Sequence, residues 1–253
     1  MRALPRRLSY GEEATLVEHL GELRTRIVVA LLAVAVGFGV AYAFHSHLVH
    51  WLEDALPANR RHLVTFGVAE PFLTGMWVSL YAGLILALPV VLWQVWGFLA
   101  PAFELHAQRV VAGLVAFATA LAALGLGFGY FVALPAALHF LTNYDSTLYN
   151  IQIRAKDYIA FASLVLIAVV VVFEVPIFIL ALVRLGVLSS AMLRRNRRIG
   201  YASMAILAVA LPGVDPVTTT LEMIPLMVLF EGSIWLSVLI ERRASVTTAA
   251  VSD

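Results

Sequence analysis

The chain has 253 residues, 62% of them hydrophobic and only 13% charged, whereas a soluble domain is nearer half apolar and a quarter charged. That balance excludes an ordinary soluble fold; several apolar runs near the roughly 20 residues of a membrane-crossing helix indicate one all-α polytopic bundle. A net charge of +1 gives no footing for nucleic acid, and the lack of cysteine excludes disulfides, thiol catalysis and thiolate metal sites.

Six spans are expected in chain order. The first covers Ile27 to Phe44, and the second Phe72 to Trp96 with Pro89 inside. The third runs from Val110 to Leu134, and the fourth from Tyr158 to Val183 with Pro176 inside. A short fifth covers Ile199 to Leu211, and the sixth Met223 to Ile240. Prolines are tolerated in such helices because neighbours satisfy the freed carbonyls. An even number of crossings puts both termini on one side, and that side collects thirteen of the 17 cations; Arg60, Arg61, Arg154 and Lys156 lie on the other. The positive-inside rule then places both termini in the cytoplasm of a multi-pass protein in a prokaryotic cytoplasmic membrane. Residues 1–26 form a cytoplasmic lead-in, 27–240 one membrane domain and 241–253 a tail. Arg6-Arg7-Leu8 looks like the head of a secretory signal, but Glu12, Glu13, Glu18 and Glu22 separate it from the first apolar run. It reads as topogenic charge.

The most informative polar stretch is "TLVEHLGELRTRI", Thr15 to Ile27. Thr15 and Glu18 have capping-box spacing. Leu16, Leu20, Leu23 and Ile27 share one face of the helix, while Glu18, Glu22 and Arg26 line another at i, i+4 intervals. Such a helix is expected to lie along the interface and then turn into the first span. Elsewhere, His45, His47 and His50 lack the carboxylates of a metal site, and no metal or cofactor is expected. Gly125 and Gly129 have the spacing of close helix packing. Asp215-Pro216 suits a helix N-cap and its first turn. In "VVVVFEVPIFIL", Glu174 is a lone carboxylate amid lipid-compatible residues, which by default signals function. No metalloprotease, serine-hydrolase or phosphate-loop motif is present in the sequence.

Taken in order, "LVEHLGELRTRI", "LPVVLWQVWGFLAPAF" (Leu88 to Phe103), "FGYFVALPAALHFL" (Phe128 to Leu141), "FEVPIFILALVRLGVLS" (Phe173 to Ser189) and "LFEGSIW" (Leu229 to Trp235) resemble the TatC family. That family is the multispanning receptor subunit of the twin-arginine protein translocase. The resemblance implies no enzyme chemistry. It implies a receptor for the paired arginines of signal peptides on folded cargo, assembling with itself and with single-span partners of the TatA and TatB type. It also implies transport driven by the proton-motive force. Carried over residue by residue, the signal-binding surface falls on Leu16, His19, Glu22 and Arg24 and on the loop around Pro101 and Arg109. Gln94, Glu174, Asp215 and Glu231 match further polar positions, expected to meet partner helices within the membrane.

The chain departs from the family pattern in several places. Ala107 stands where a loop glutamate is usual, Trp77 where a lysine is usual, and "PGVD" (Pro212 to Asp215) where Thr-Pro-Pro-Asp is usual. A proline expected near Leu52 is missing. Glu104, three residues before Ala107, is expected to substitute for the lost carboxylate if the loop is helical. Glu174 is expected to line a wet concave face receiving a polar group from a partner. The rival readings are a proton-coupled small-solute transporter using Glu174 and Gln94, and an intramembrane enzyme. The enzyme lacks an obvious second carboxylate at the depth of Glu174.

Overall fold

In lipid every backbone N–H and C=O must find its partner within the protein, so long apolar runs resolve into helices. The computed structural model describes residues 16–99, 108–149, 151–212 and 215–251. In chain order these form α1 (Leu16–Ala43), α2 (His45–Asp54), β1 (Leu63–Val64), α3 (Glu70–Leu99), α4 (Gln108–Phe128), a π-helical turn (Gly129–Ala133) and α5 (Leu134–Asn143). There follow β2 (Ile153–Arg154), α6 (Ala155–Phe173), α7 (Val175–Arg184), α8 (Ser190–Arg195), α9 (Arg197–Ala210) and α10 (Pro216–Val251). Five stretches of the described residues are long and apolar enough to cross a membrane: His19–Ala43, Glu70–Leu99, Ala112–Asn143, Ala155–Arg184 and Pro216–Leu239. The expected fifth span corresponds to α9, which has 14 residues.

The chain groups into two compact units, Met1–His50 with Gly67–Ala120, and Trp51–Phe66 with Leu121–Asp253. In the first, α1 packs along α3. The two backbones touch at Gly37 and Gly83. A Cβ added to Gly37 would stand 2.5 Å from the Gly83 carbonyl oxygen, and one on Gly83 would stand 2.5 Å from the Phe38 nitrogen. Small residues permit such close approach, which in a membrane replaces the hydrophobic effect as the source of association. The rest of α1 exposes Leu31, Leu32, Val36 and Val40, a surface suited to lipid.

The second unit holds a core of Val165, Val169, Val172 and Phe173 from α6, Ile179 and Val183 from α7, Met204 and Ala208 from α9, and Leu226, Phe230 and Ile234 from α10. Gly125 and Gly129 lie against α6, as their spacing suggests. A Cβ on Gly125 would stand 2.9 Å from Phe173 Cβ, and one on Gly129 3.1 Å from Leu166 Cδ2.

Several expectations need correction. The stretch from Leu16 to Ala43 is a single 28-residue helix with no turn between interface and span; its hydrogen-bond ladder continues through the polar residues. The Thr15 cap lies outside the described residues. The third span does not stop at Leu134. Pro135 lacks an N–H, and the ladder passes it through the π turn, where the Leu134 N–H bonds to the Gly129 carbonyl, and continues to Asn143. The fourth span breaks at Glu174: Pro176 leaves the Val172 carbonyl without its usual donor, and the Glu174 N–H closes a tighter turn onto the Val171 carbonyl at 3.2 Å. The last span begins at Pro216 rather than Met223, because the Asp215 Oδ1 caps the Thr218 N–H at 2.8 Å. Finally, Leu63 and Val64 pair in parallel with Ile153 and Arg154, a two-residue ladder that an all-α reading does not contain. Near it the Tyr130 phenol donates to the Trp51 carbonyl at 2.7 Å and the Tyr158 phenol to the Leu52 carbonyl. These bonds hold the segment where the family's proline is absent.

Candidate functional site

Of the signal-binding residues expected on α1, His19 sits beside the last turn of α3 and Glu22 reaches it through Arg26. His19 stacks on Phe98, ring centroids 4.4 Å apart. Glu22 Oε1 accepts two bonds from Arg26, from Nε at 2.9 Å and from Nη2 at 2.5 Å. Arg26 Nη2 also donates to the Gly97 carbonyl at 2.9 Å, and Nη1 to the Gln94 carbonyl at 3.5 Å. A cation at these final carbonyls complements the negative end of the helix dipole. Arg24 points outward and is exposed. The result is a partly exposed acidic position flanked by an aromatic stack and an exposed arginine. Leu16 belongs to α1 and Arg109 to α4, but their side chains lie outside what is described. Pro101, Glu104 and Ala107 lie outside the described residues altogether.

The polar positions expected within the membrane divide. Gln94 is half-buried in the first unit and engaged through its backbone; Glu174, Asp215 and Glu231 belong to the second unit. Glu231 is held internally, Oε2 taking Arg197 Nη2 at 3.1 Å and Oε1 taking the Tyr201 phenol. Asp215 caps α10 with Oδ1, while its Oδ2 is buried with no partner among the described residues. Glu174 is 4% exposed, with both carboxylate oxygens unpartnered among the described residues. Within the isolated chain Glu174 is therefore buried in its unit, beside Phe173 and Ile177 in sequence, at the break between α6 and α7.

Sequence reading missed Glu222. It is 1% exposed, and neither oxygen has a hydrogen-bond partner among the described residues. Around it lie Phe128, Val169, Val172, Phe173, Leu211 and Leu226. With Glu174 and Asp215 it is one of three buried carboxylates among the described residues of that unit. Asp215, Thr218 and Glu222 follow one another at i, i+3 and i+7 along the stripe that α10 buries, and Thr218 Oγ1 is also unpartnered among the described residues. The signal was present as one acid at helical spacing from Asp215, but a span begun at Met223 left it just outside.

Among the described residues no three histidine, aspartate or glutamate side chains converge as metal ligands. His45 instead engages the Tyr42 carbonyl through Nδ1 at 2.8 Å.

Comparison with known proteins bears on this arrangement. The profile of the Sec-independent protein translocase protein (TatC) family matches residues 18–225. TatC of Desulforapulum autotrophicum is 34% identical over 88% of this chain and 84% of its own length. TatC of Escherichia coli is 32% identical over 91% and 90%, and TatCd of Bacillus subtilis 31% over 95% and 99%. These relatives are named as translocase components, a role in transport rather than catalysis. A crystal structure of the twin-arginine translocase receptor TatC in DDM superposes with a TM-score of 0.75 at 31% identity, covering 87% of this chain and 99% of that one. A second structure of that receptor superposes with a TM-score of 0.74. With the motifs, the apolar spans and the fold in agreement, the chain belongs to the TatC family of Sec-independent protein translocase proteins.

Proposed function

We propose that this chain is the signal-peptide receptor and core subunit of a twin-arginine translocase, exporting folded proteins across the cytoplasmic membrane under the proton-motive force. The observation that carries the reading is Glu22, a partly exposed carboxylate on α1 beside the His19–Phe98 stack. Paired guanidinium groups seek such an acceptor, because charge-assisted bonds in planar geometry are the strong ones. In this reading Leu16, His19, Glu22 and Arg24 join Pro101, Glu104 and Arg109 of the first cytoplasmic loop in one binding surface. Glu104 supplies the carboxylate absent at Ala107.

The same reading makes α9 a short fifth span, for six crossings with both termini in the cytoplasm. Residues 1–26 lead into a single domain over 27–240, and 241–253 form a tail. Single-span subunits of the TatA and TatB type and further copies of the chain are its partners, meeting it near Gln94, Glu174, Asp215 and Glu231. The test is affinity of the purified protein for a signal peptide with paired arginines. The Glu22→Gln variant is expected to lose most of that binding, and Glu104→Gln to weaken it by about 1–3 kcal/mol as loss of a charge-assisted bond does. Equal binding of twin-arginine and twin-lysine peptides would contradict the reading.

A further inference from the structure

Between Gly186 and Glu241 the chain carries four arginines, Arg194, Arg195, Arg197 and Arg198, and four carboxylates, Asp215, Glu222, Glu231 and Glu241. Asp215 and Glu222 are buried. Glu231 is taken by Arg197 and Tyr201, and Glu241 by the Ser190 N–H at 2.8 Å and the Ser190 hydroxyl. Among the described residues no carboxylate pairs with Arg194, Arg195 or Arg198, and all three are exposed. Arg194 is placed by packing rather than by charge. Leu193 is buried in the core of the unit with Phe230 and Ile234, and the next residue sets its guanidinium over the Trp235 ring, 5.8 Å from the centroid. Trp235 is 63% exposed and shares one face of α10 with the exposed Ile224, Val228 and Leu239. It stands about 6 Å along the helix before the end of the apolar stretch Pro216–Leu239.

From this arrangement we infer that Arg194 and Trp235, with Arg195 and Arg198 beside them in sequence, bind the headgroup of an anionic glycerophospholipid whose acyl chains lie along the exposed face of α10. An indole near the end of an apolar stretch sits at headgroup level, where such rings collect. A guanidinium over its face keeps its edge N–H groups for a phosphodiester, which accepts two of them in plane. Arg195 and Arg198 add charge that no carboxylate offsets. A choline or ethanolamine cation beside the phosphate is therefore repelled, and a lipid of net negative charge is preferred. Met192 and Ile199, both exposed within the same segment, give the arginines apolar neighbours suited to lipid. The inference does not rest on the receptor reading.

The experiment measures, by native mass spectrometry of the full-length protein in detergent, the affinities of phosphatidylglycerol and phosphatidylcholine with matched acyl chains. The unsubstituted protein is expected to bind phosphatidylglycerol more tightly on the order of tenfold, as for one charge-assisted bond. Arg194→Gln should remove most of that preference while leaving phosphatidylcholine unchanged, and Trp235→Ala should weaken both lipids. Arg184→Gln, an equal loss of charge at an exposed residue in the last turn of α7, should keep the preference intact. Equal affinities of the two lipids for the unsubstituted protein, or equal losses in Arg184→Gln and Arg194→Gln, would leave only diffuse positive charge and overturn the inference. Displacement of bound phosphatidylglycerol by inorganic phosphate at equal concentration would reduce the site to one for simple anions and overturn it too. Should Arg194→Gln not fold, Arg198→Gln is read against Arg184→Gln in the same way.

Discussion

Arg197 Nη2 stands 3.1 Å from Glu231 Oε2, tying α9 to α10 while the Tyr201 phenol donates to the other carboxylate oxygen. The side chains retain 43% and 28% of their exposure, so solvent screening discounts the ion pair and the phenol bond carries a comparable share. Glu231→Ala is expected to lower stability in detergent by ~1–2 kcal/mol, read as a lower thermal midpoint. An unchanged midpoint with lost co-purification of single-span partners would make Glu231 a partner contact and not a brace.

Glu222 gives the opposite sign. A carboxyl buried among apolar side chains without a partner costs more than it returns, and a well-packed apolar replacement of similar volume relieves that cost. Glu222→Leu is expected to stabilise the isolated protein by about 1–3 kcal/mol. If the same variant also impairs transport, the acid is retained for function at the expense of stability. A destabilised Glu222→Leu would show that the carboxylate has acceptable partners in the folded chain.

Glu174 is 4% exposed within its unit. Glu174→Cys, unique because the chain has no cysteine, is expected to react slowly with a water-soluble thiol reagent in the isolated protein. Rapid labelling would restore the wet face that its burial argues against.

These three acids show how far the sequence could be read. Glu174 is visible as a charge within an apolar run and Asp215 as a cap ahead of a proline, because each signal is local, whereas Glu231 is implied only by the family resemblance. Long-range pairings are not visible in the sequence. Arg197 lies 34 residues from Glu231, and Arg26 lies 71 residues from the Gly97 carbonyl; no periodicity reports contacts at that separation. The spans were legible as apolar runs, but their ends were set by caps and by the ways the backbone accommodates proline. Hence Pro135 was passed by a π turn, Pro176 broke its helix, and α10 began early enough to include Glu222. The crossing of α1 and α3 at Gly37 and Gly83 was also missed, since the two glycines belong to different helices and form no motif.

That crossing predicts a large effect from a small change. Gly83→Val would place a branched side chain against the Phe38 and Gly37 backbone, where even a Cβ has only 2.5 Å. Overpacking of this kind costs ~1–3 kcal/mol or more. The thermal midpoint should fall, while the same substitution at Gly39, which meets nothing within 4 Å, should leave it nearly unchanged.

The short α9 bears on transport. Its 14 residues extend about 21 Å at 1.5 Å per residue, against a hydrocarbon core near 30 Å. A short hydrophobic length is met by bilayer thinning or by recruited neighbours. Inserting one apolar turn into α9 is expected to reduce export of folded cargo while leaving signal-peptide affinity unchanged. Full export by the lengthened protein would remove thinning from the account.

The central claim is that the α1 surface around Glu22 receives the arginine pair, and a site-specific crosslink tests it most directly. Leu20 is exposed on α1 two residues before Glu22, and Leu20→Cys would be the only thiol in the chain. A signal peptide carrying a cysteine next to its paired arginines is expected to form a disulfide with Leu20→Cys. The link should be lost when the arginines are replaced by lysines or when Glu22→Gln is added. A disulfide that forms equally with the twin-lysine peptide, or that persists in the Glu22→Gln background, would contradict the account.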